Sequence, residues 1–281
     1  MTRLSLPQVT LCAVDARSPA LAAQALQRSM AAVDFARVLL LTHGWQPATP
    51  LPGIEVVDIG PVRSGAEYSH VVLRRLPAFI DTSHVLVTQW DGFVVDAAAW
   101  TPEFLQWDYL GAVWPEQPAG RSVGNGGFSL RSQRLLAAGT DARLTAEHPE
   151  DVVLCRDFRA LVEGELGVRF APPELARRFA VENEAVAGPT FGFHGCYHLP
   201  RWLDEATLQA WLGELPDPFF RSRDARRLAK AMLRARMARG AAGLIARTRA
   251  AGRHDPQTCL LGALARLQSA LGLQHRGGAA R

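Results

Sequence analysis

The sequence has 281 residues, with 48% hydrophobic and 21% charged side chains and a formal net charge of +4. No apolar run approaches the roughly 20 residues that a membrane-spanning helix needs, and the N-terminus lacks the long apolar segment of a secretory signal. The four cysteines are scattered without a closely spaced pair, which argues against a zinc ribbon or a disulfide framework. We therefore expect a globular, cytoplasmic protein.

The first sixty residues predict alternating strands and helices. Apolar runs at 8–14, 37–42 and 54–59 predict strands, and Ser18 followed by Pro19 predicts a helix that ends near Ala32. Strand, helix and strand joined by short links are typical of a parallel α/β sheet. Neither GxGxxG nor GxxxxGKS/T follows, so the motifs of dinucleotide-binding and P-loop proteins are missing.

A further predicted strand leads to a single carboxylate. Val85 to Thr88 is a largely β-branched run of the kind that α/β sheets bury on both faces, and Asp91 follows shortly after it, before Gly92. Open α/β sheets bind ligands beyond the carboxyl ends of their strands. Asp91 therefore either holds a divalent cation against a phosphate group or forms a turn with its own backbone.

A glycine-rich segment comes next. Gly124, Gly126 and Gly127 let the backbone approach a ligand closely or turn with positive φ, and they equally suit a hairpin that binds nothing. Phe128 to Arg131 alternates like a strand, and Ser132 after it predicts the start of a helix.

Two later segments carry titratable side chains. Glu150 and Asp151 follow Pro149 at a predicted helix start, where acidic residues offset the helix dipole and where one of them could be a general base. Glycines flank the Phe193–His194 pair and leave its imidazole accessible. Such a histidine is either a ligand or an ordinary side chain with its hydrogen bonds satisfied.

The C-terminal sixty residues differ from the rest in charge. From Arg221 to Arg281 there are 14 basic residues and two acidic ones, so the first 220 residues are net acidic. Arginine alternates with Ala, Leu and Met at helical spacing, which predicts a basic α-helical extension over residues 216–281. It either packs as a helix with a solvated face or lies at anionic lipid. Nucleic acid is disfavoured as a partner because neither aromatic interleaving nor a binding motif is present.

The order of these segments is typical of one family. Over about residues 55–200 the sequence resembles the DUF5672 family, a glycosyltransferase-like domain of unknown function. The segments that carry the resemblance are Tyr68-Ser69, His84 to Phe93, Asp108 to Ala112, Gly124 to Ser132, Pro149 to Asp151 and Phe191 to Gly195. The resemblance implies a GT-A-like α/β domain over residues 1–215. Its Rossmann-like central sheet would be mostly parallel and flanked by helices, with the α-helical extension following it.

The resemblance also implies a metal site and a base. Gln89-Trp90-Asp91 stands where GT-A enzymes carry an Asp-X-Asp motif, so that Gln89 replaces the first carboxylate. Asp91 and His194 would hold Mn²⁺ or Mg²⁺ against the leaving diphosphate. Asp151 would deprotonate the acceptor hydroxyl, with Glu150 as the second candidate.

The function that the resemblance implies is metal-dependent transfer of a sugar, with inversion, from a nucleotide-sugar donor to a hydroxyl acceptor, in cell-surface glycan or polysaccharide synthesis. The acceptor would be a glycan, a lipid-linked molecule or another hydroxyl compound, and the basic extension would permit peripheral contact with the inner face of the membrane. The alternative, favoured by Gln89, is a catalytically degenerate module that binds a sugar or a nucleotide. Nine residues are predicted to bind donor or acceptor: Arg63, Tyr68, Gln89, Trp90, Gly92, Asn125, Gly126, Gly127 and Phe128.

Overall fold

The structure, a computed structural model, describes residues 3–118, 120–185 and 188–272. The chain divides into two compact units, Met1–His194 and Gly195–Arg281. The sequence pattern predicts this division at residue 216, some twenty residues further along. The difference arises because the short helices that follow Gly195 pack against later helices of the basic extension.

The first unit contains nine strands and two sheets within its described residues. The strands are β1 (Leu4–Val14), β2 (Val33–Thr42), β3 (Glu55–Asp58), β4 (His84–Thr88), β5 (Gly92–Val94), β6 (Tyr109–Leu110), β7 (Phe128–Ser132), β8 (Ala180–Val181) and β9 (Gly192–His194). The larger sheet has the order β3-β2-β1-β4-β7-β6, and the smaller has the order β5-β9-β8. Strands β1 to β4 are parallel to one another, whereas β7 runs antiparallel to both β4 and β6.

Helices cover this sheet, and several of them are short. They are α1 (Pro19–Ala32), α2 (Gly65–His70), α3 (Gln133–Gly139), α4 (Glu150–Val152), α5 (Arg159–Gly164) and α6 (Pro173–Phe179). Single π-helical turns occupy Val71–Arg75 and Val153–Asp157. Short 3₁₀ helices occupy Leu76–Phe79, Ala97–Ala99 and Pro102–Gln106. The predicted α/β class with a mostly parallel central sheet flanked by helices is therefore confirmed.

The central strands are buried on both faces because successive side chains point to opposite sides of a sheet. Leu86 packs with Leu26 of α1 on one face. Its neighbour Val87 packs with Val71 and Leu76 on the other face, and all five side chains are at most 2% exposed. Residues 89–91 then leave the sheet at the carboxyl end of β4, where ligands bind in sheets of this kind.

The second unit is helical. It contains a 3₁₀ segment (Cys196–Arg201), α7 (Glu205–Glu214), α8 (Asp217–Phe220), α9 (Arg223–Arg234), α10 (Ala238–Ala250) and α11 (Pro256–Ala270). Side-chain oxygens of Ser222 and Asp255 accept hydrogen bonds from backbone N–H groups at the starts of α9 and α11. The predicted α-helical extension is confirmed for the residues described, which end at Gly272. No described helix is long and apolar enough to cross a membrane.

Candidate active site

A cleft of about 520 Å³ opens in the first unit. Eight of the residues predicted from the sequence line it: Tyr68, Gln89, Asn125, Gly126, Gly127, Glu150, Asp151 and His194. Glu116, Gln117 and Glu182 also line it. The volume falls within the roughly 300–1,000 Å³ that is typical of small-ligand sites.

Strand pairing brings these distant segments together. Antiparallel pairing of β4 with β7 sets Thr88 beside Phe128, so the glycine-rich segment meets the carboxyl end of β4. The backbone N–H of Gln89 then donates to the carbonyl oxygen of Gly127 at 2.9 Å. In the smaller sheet Gly92 pairs with His194, which places the imidazole next to Asp91.

His194 lies between two carboxylates in what we call the histidine cluster, formed by Gln89, Asp91, Glu182 and His194. Its Nε2 is 3.4 Å from Asp91 Oδ1 and 3.1 Å from Gln89 Oε1, and its Nδ1 is 3.1 Å from Glu182 Oε1. The three ionisable side chains are each at most 16% exposed. Burial lowers the pKa of His194, but the two carboxylates outweigh it and hold that pKa well above its usual value.

The histidine cluster offers a donor set for a divalent cation. Adjacent ligands in an octahedral shell with bonds of about 2.1 Å lie about 3 Å apart. The distances from His194 Nε2 to Asp91 Oδ1 and to Gln89 Oε1 are close to that spacing. Glu182 faces the other ring nitrogen, and within the described ranges no three His, Cys, Asp or Glu side chains form a metal-binding group. One imidazole, one carboxylate and one amide oxygen fit a cation that takes its remaining ligands from phosphate or water.

Gln89 uses both ends of its amide in this arrangement. Its Nε2 donates to the hydroxyl oxygen of Tyr68 at 3.0 Å, while its Oε1 faces His194. Burial raises the pKa of Tyr68, so the hydroxyl keeps its proton at neutral pH. The amide thus bridges two neighbours of different chemistry, which accounts for a glutamine at this position.

The two glycines of the cleft floor make room for side chains of the site itself. A Cβ on Gly127 would overlap the imidazole of His194, and a Cβ on Gly126 would overlap the carboxylate of Glu150. Asn125 before them has a φ of 65°, in the left-handed region. Close packing inside the protein therefore requires glycine at residues 126 and 127, whether or not a ligand is bound.

Glu150 and Asp151, adjacent in sequence, have different environments. Together with Arg131 they form what we call the arginine–acid cluster. Glu150 is 3% exposed and pairs at 2.5 Å with Arg131, which is 1% exposed. Burial raises the pKa of Glu150 and the Arg131 guanidinium opposes this, so the carboxylate is committed to a buried ion pair. Asp151 is only half-buried and lines the cleft.

Asp151 is held in place by the backbone. Its Oδ2 accepts from the N–H of Gly126 at 3.0 Å, and its Oδ1 accepts from the N–H of Val152 at 2.8 Å. A carboxylate oxygen can accept a further hydrogen bond, because each has two lone pairs. Of the acid pair, Asp151 is thus the side chain that can take a proton from a molecule in the cleft.

The family model described as a protein of unknown function, DUF5672, matches residues 54–194. The chain belongs to the DUF5672 family. The match spans every cleft residue named above. A comparison with curated protein sequences finds no significant match.

Two solved structures are similar to this DUF5672 chain at low sequence identity. An active-site mutant of LgtC shares 13% identity with a TM-score of 0.44, over 73% of this chain and 96% of that one. A mannosyltransferase from Pyrobaculum calidifontis, in complex with GDP-Man and Mn²⁺, shares 18% identity with a TM-score of 0.39, over 95% of this chain and 83% of that one. Both TM-scores are below 0.5, so neither similarity assigns a role to a residue of the cleft.

Five predicted site residues of the DUF5672 chain are not among those that line the cleft, and one of them is Asp91, whose carboxylate faces the lining residue His194. Phe128 is fully buried and packs against Phe179 and Phe191, so it supports the floor from within the core. Gly92 lies in β5, where a Cβ would meet the carbonyl oxygen of Phe193 at 2.6 Å. The other two are Trp90, which packs against the core, and Arg63, which is exposed.

One cleft residue of this family member, Glu182, and one buried residue beside the cleft, Arg131, escape prediction from sequence. Glu182 reaches His194 because β8 pairs in parallel with β9, and no local motif signals that pairing. Arg131 looks like one more residue of an alternating strand, although its Nε donates to Ser129 and its Nη2 to Glu150. The one signal in the sequence for this ion pair is an arginine within a predicted strand, Arg131, with the acidic pair Glu150-Asp151 later in the chain.

Proposed function

We propose that the cleft of the first unit transfers a glycosyl group from a nucleotide-sugar donor to a hydroxyl acceptor. One observation carries the proposal: a half-buried carboxylate, Asp151, lines the same cleft as Gln89 and His194 of the histidine cluster, at the carboxyl end of a buried strand. The first supplies a proton acceptor, and the second supplies ligands for the cation that accompanies a diphosphate.

The proposed reaction is a single displacement at the anomeric carbon. Asp151 accepts the proton of the acceptor hydroxyl as the new carbon–oxygen bond forms. The bond between the anomeric carbon and the donor phosphate oxygen breaks, and its electron pair stays on the diphosphate. Attack from the face opposite the leaving group inverts the configuration. Glu150 is not assigned this role, because its carboxylate is paired with Arg131.

A divalent cation, Mn²⁺ or Mg²⁺, would neutralise charge on the diphosphate when bound. His194 Nε2, Asp91 Oδ1 and Gln89 Oε1 are the atoms that would hold it. Two further contacts position these groups. Glu182 orients the imidazole through Nδ1, and the backbone N–H of Gly126 orients the carboxylate of Asp151. Asn125 and the glycines then form the surface against which the donor sugar lies.

The test is a donor screen followed by one substitution. The protein is incubated with nucleotide sugars and Mn²⁺, and donor hydrolysis and thermal shift are measured. Asp151→Asn should lower turnover about 10²–10⁴-fold, the usual contribution of a general base, with donor affinity retained. Glu116→Gln removes the same charge from the same cleft and should leave turnover within a few-fold of wild type. Absence of any nucleotide response, with or without cation, would exclude the proposal.

A second candidate is a binding module without catalysis, favoured by the amide of Gln89 in place of a carboxylate. It predicts nucleotide or sugar binding that persists in a chelator and is indifferent to Asp151→Asn. The first candidate predicts that the chelator weakens donor binding. The same calorimetric titration, run with and without chelator, separates the two.

Peripheral membrane contact is proposed for the second unit. Leu260, Leu264, Leu267 and Leu271 follow one face of α11 and its last turn, and they are between 41% and 62% exposed. With the excess of arginine in this unit they suit an anionic lipid surface, which would bring the enzyme close to a lipid-linked acceptor. Flotation with anionic vesicles should be lost with Leu264→Gln and Leu267→Gln together. Flotation that is unchanged, or equal with neutral vesicles, would contradict this proposal.

A further inference from the structure

The second unit contains a cleft of its own, of about 470 Å³, between α9 and the 3₁₀ segment that opens the unit. Its lining includes the cations Arg201, Arg227, Lys230 and Arg234, and no acidic side chain lines it. Three of them, on α9, are spaced by three and four residues, so they project from one face of the helix. Lys230 is the only lysine of the sequence.

Two of the four cations have no carboxylate partner among the described residues. Arg227 lies 3.7 Å from Asp224 and stacks over the ring of Tyr197, with its guanidinium carbon 3.4 Å from the ring centroid. Among the described residues, no carboxylate lies within ion-pair distance of Lys230 or Arg234. Like charges gathered in one cleft repel each other, and an anion that binds between them removes that repulsion.

We propose that this cleft binds a phosphate-bearing molecule with at least two negative charges. Guanidinium groups grip phosphate oxygens in pairs and an ammonium acts as a point charge, so three arginines and one lysine suit a compact polyanion. The volume matches a small ligand or a headgroup, and it is too small to admit a nucleic-acid duplex. The phosphate comes either from a soluble compound or from a lipid.

The cleft also has an apolar side that fits an organic phosphate. Pro200, Ala231 and Ala235 line it together with Tyr197. A ligand whose phosphates meet the cations can rest its organic part on these side chains. The proposal is independent of the sugar-transfer site, because every residue it uses belongs to the second unit.

The test uses the full chain without divalent cation and two probes: inorganic pyrophosphate, and phosphatidylcholine vesicles with or without phosphatidic acid. The first readout is labelling of Lys230 by an amine-reactive reagent, followed by peptide mass spectrometry. Pyrophosphate that binds only in the cleft of the first unit leaves this labelling unchanged, so the two sites are distinguished. Protection by pyrophosphate indicates a soluble ligand, whereas protection only by phosphatidic acid vesicles indicates a lipid.

The second readout is affinity for the protecting probe. Arg234→Ala should weaken it about tenfold, the effect of losing one charge-assisted hydrogen bond. Arg239→Ala, which removes an exposed arginine from α10 that does not line the cleft, should change it less than twofold. Both variants must melt as the wild type does. Lys230 labelling that neither probe alters, or equal weakening by both substitutions, would overturn the proposal.

Discussion

The histidine cluster and the arginine–acid cluster border one cleft, but their buried charges are neutralised in different ways. In the first, an imidazole that can lose its proton lies between two carboxylates. In the second, a guanidinium that never loses its proton neutralises Glu150. The histidine cluster can therefore exchange a proton for a cation, whereas the arginine–acid cluster is a fixed support that leaves Asp151 facing the cleft. The predictions below test that division.

The largest effect on stability is expected from removing the guanidinium of the arginine–acid cluster. Arg131→Met leaves Glu150 buried without its partner, which should lower the free energy of unfolding by about 3–5 kcal/mol. Urea denaturation followed by circular dichroism measures this. Arg143→Met, which breaks surface pairs with Asp141 and Glu165, serves as the control and should change stability little. If both variants were equally stable, the arginine–acid cluster would not be a structural support.

A smaller effect is expected at the glycine that faces the histidine cluster. Gly127→Ala places a methyl group against His194 and should cost about 1–3 kcal/mol, because the imidazole must move. Donor or cation binding should weaken with it. Gly164→Ala, where nothing lies within 4 Å of the added carbon, should be neutral or slightly stabilising. Thermal melts measure the stability of both variants, and a Gly127→Ala variant as stable as the wild type would contradict the close packing of Gly127 against His194.

Titration separates the two clusters further. The pKa of His194 is raised in the folded, metal-free protein, so its stabilising contribution is complete below about pH 6.5, the unfolded value. That contribution is lost as the pH rises through the folded pKa. Glu182→Gln replaces a charged partner by a neutral one, which should lower this pKa and cost about 1 kcal/mol at pH 6.

Nitrogen NMR of the imidazole in the presence of a chelator measures this pKa directly. Glu184→Gln is the matched control, because Glu184 lies two residues further on and pairs with Arg177 instead. The pKa of His194 should be the same in that variant as in the wild type. A pKa that moved equally in both variants would show that general charge, and not contact with Glu182, sets it.

The sequence predicts individual strands and helices, but it does not predict the contacts that strand pairing creates between distant residues. The buried β4 strand, the start of α1 at Pro19 and the C-terminal helices follow from hydrophobic spacing and capping residues. The role of Glu150 could not be predicted in this way, since a first-turn acid looks the same whether it is exposed or buried against an arginine. Glu182 is twelve residues before His194, and only the pairing of β8 with β9 makes them neighbours.

The smallest change in stability is expected from placing a carboxylate at residue 89 of the histidine cluster. Gln89→Glu should alter the free energy of unfolding by less than about 0.5 kcal/mol, because the Tyr68 hydroxyl can turn and donate to the new carboxylate. Mn²⁺ should nevertheless bind more tightly, since a charged oxygen replaces a neutral one among the proposed ligands. Electron paramagnetic resonance of free Mn²⁺ measures the affinity. Gln117→Glu adds the same charge to the same cleft at a residue outside the cluster. Equal tightening by both variants would mean that the cleft attracts the cation only through its field, and that residue 89 is not a ligand.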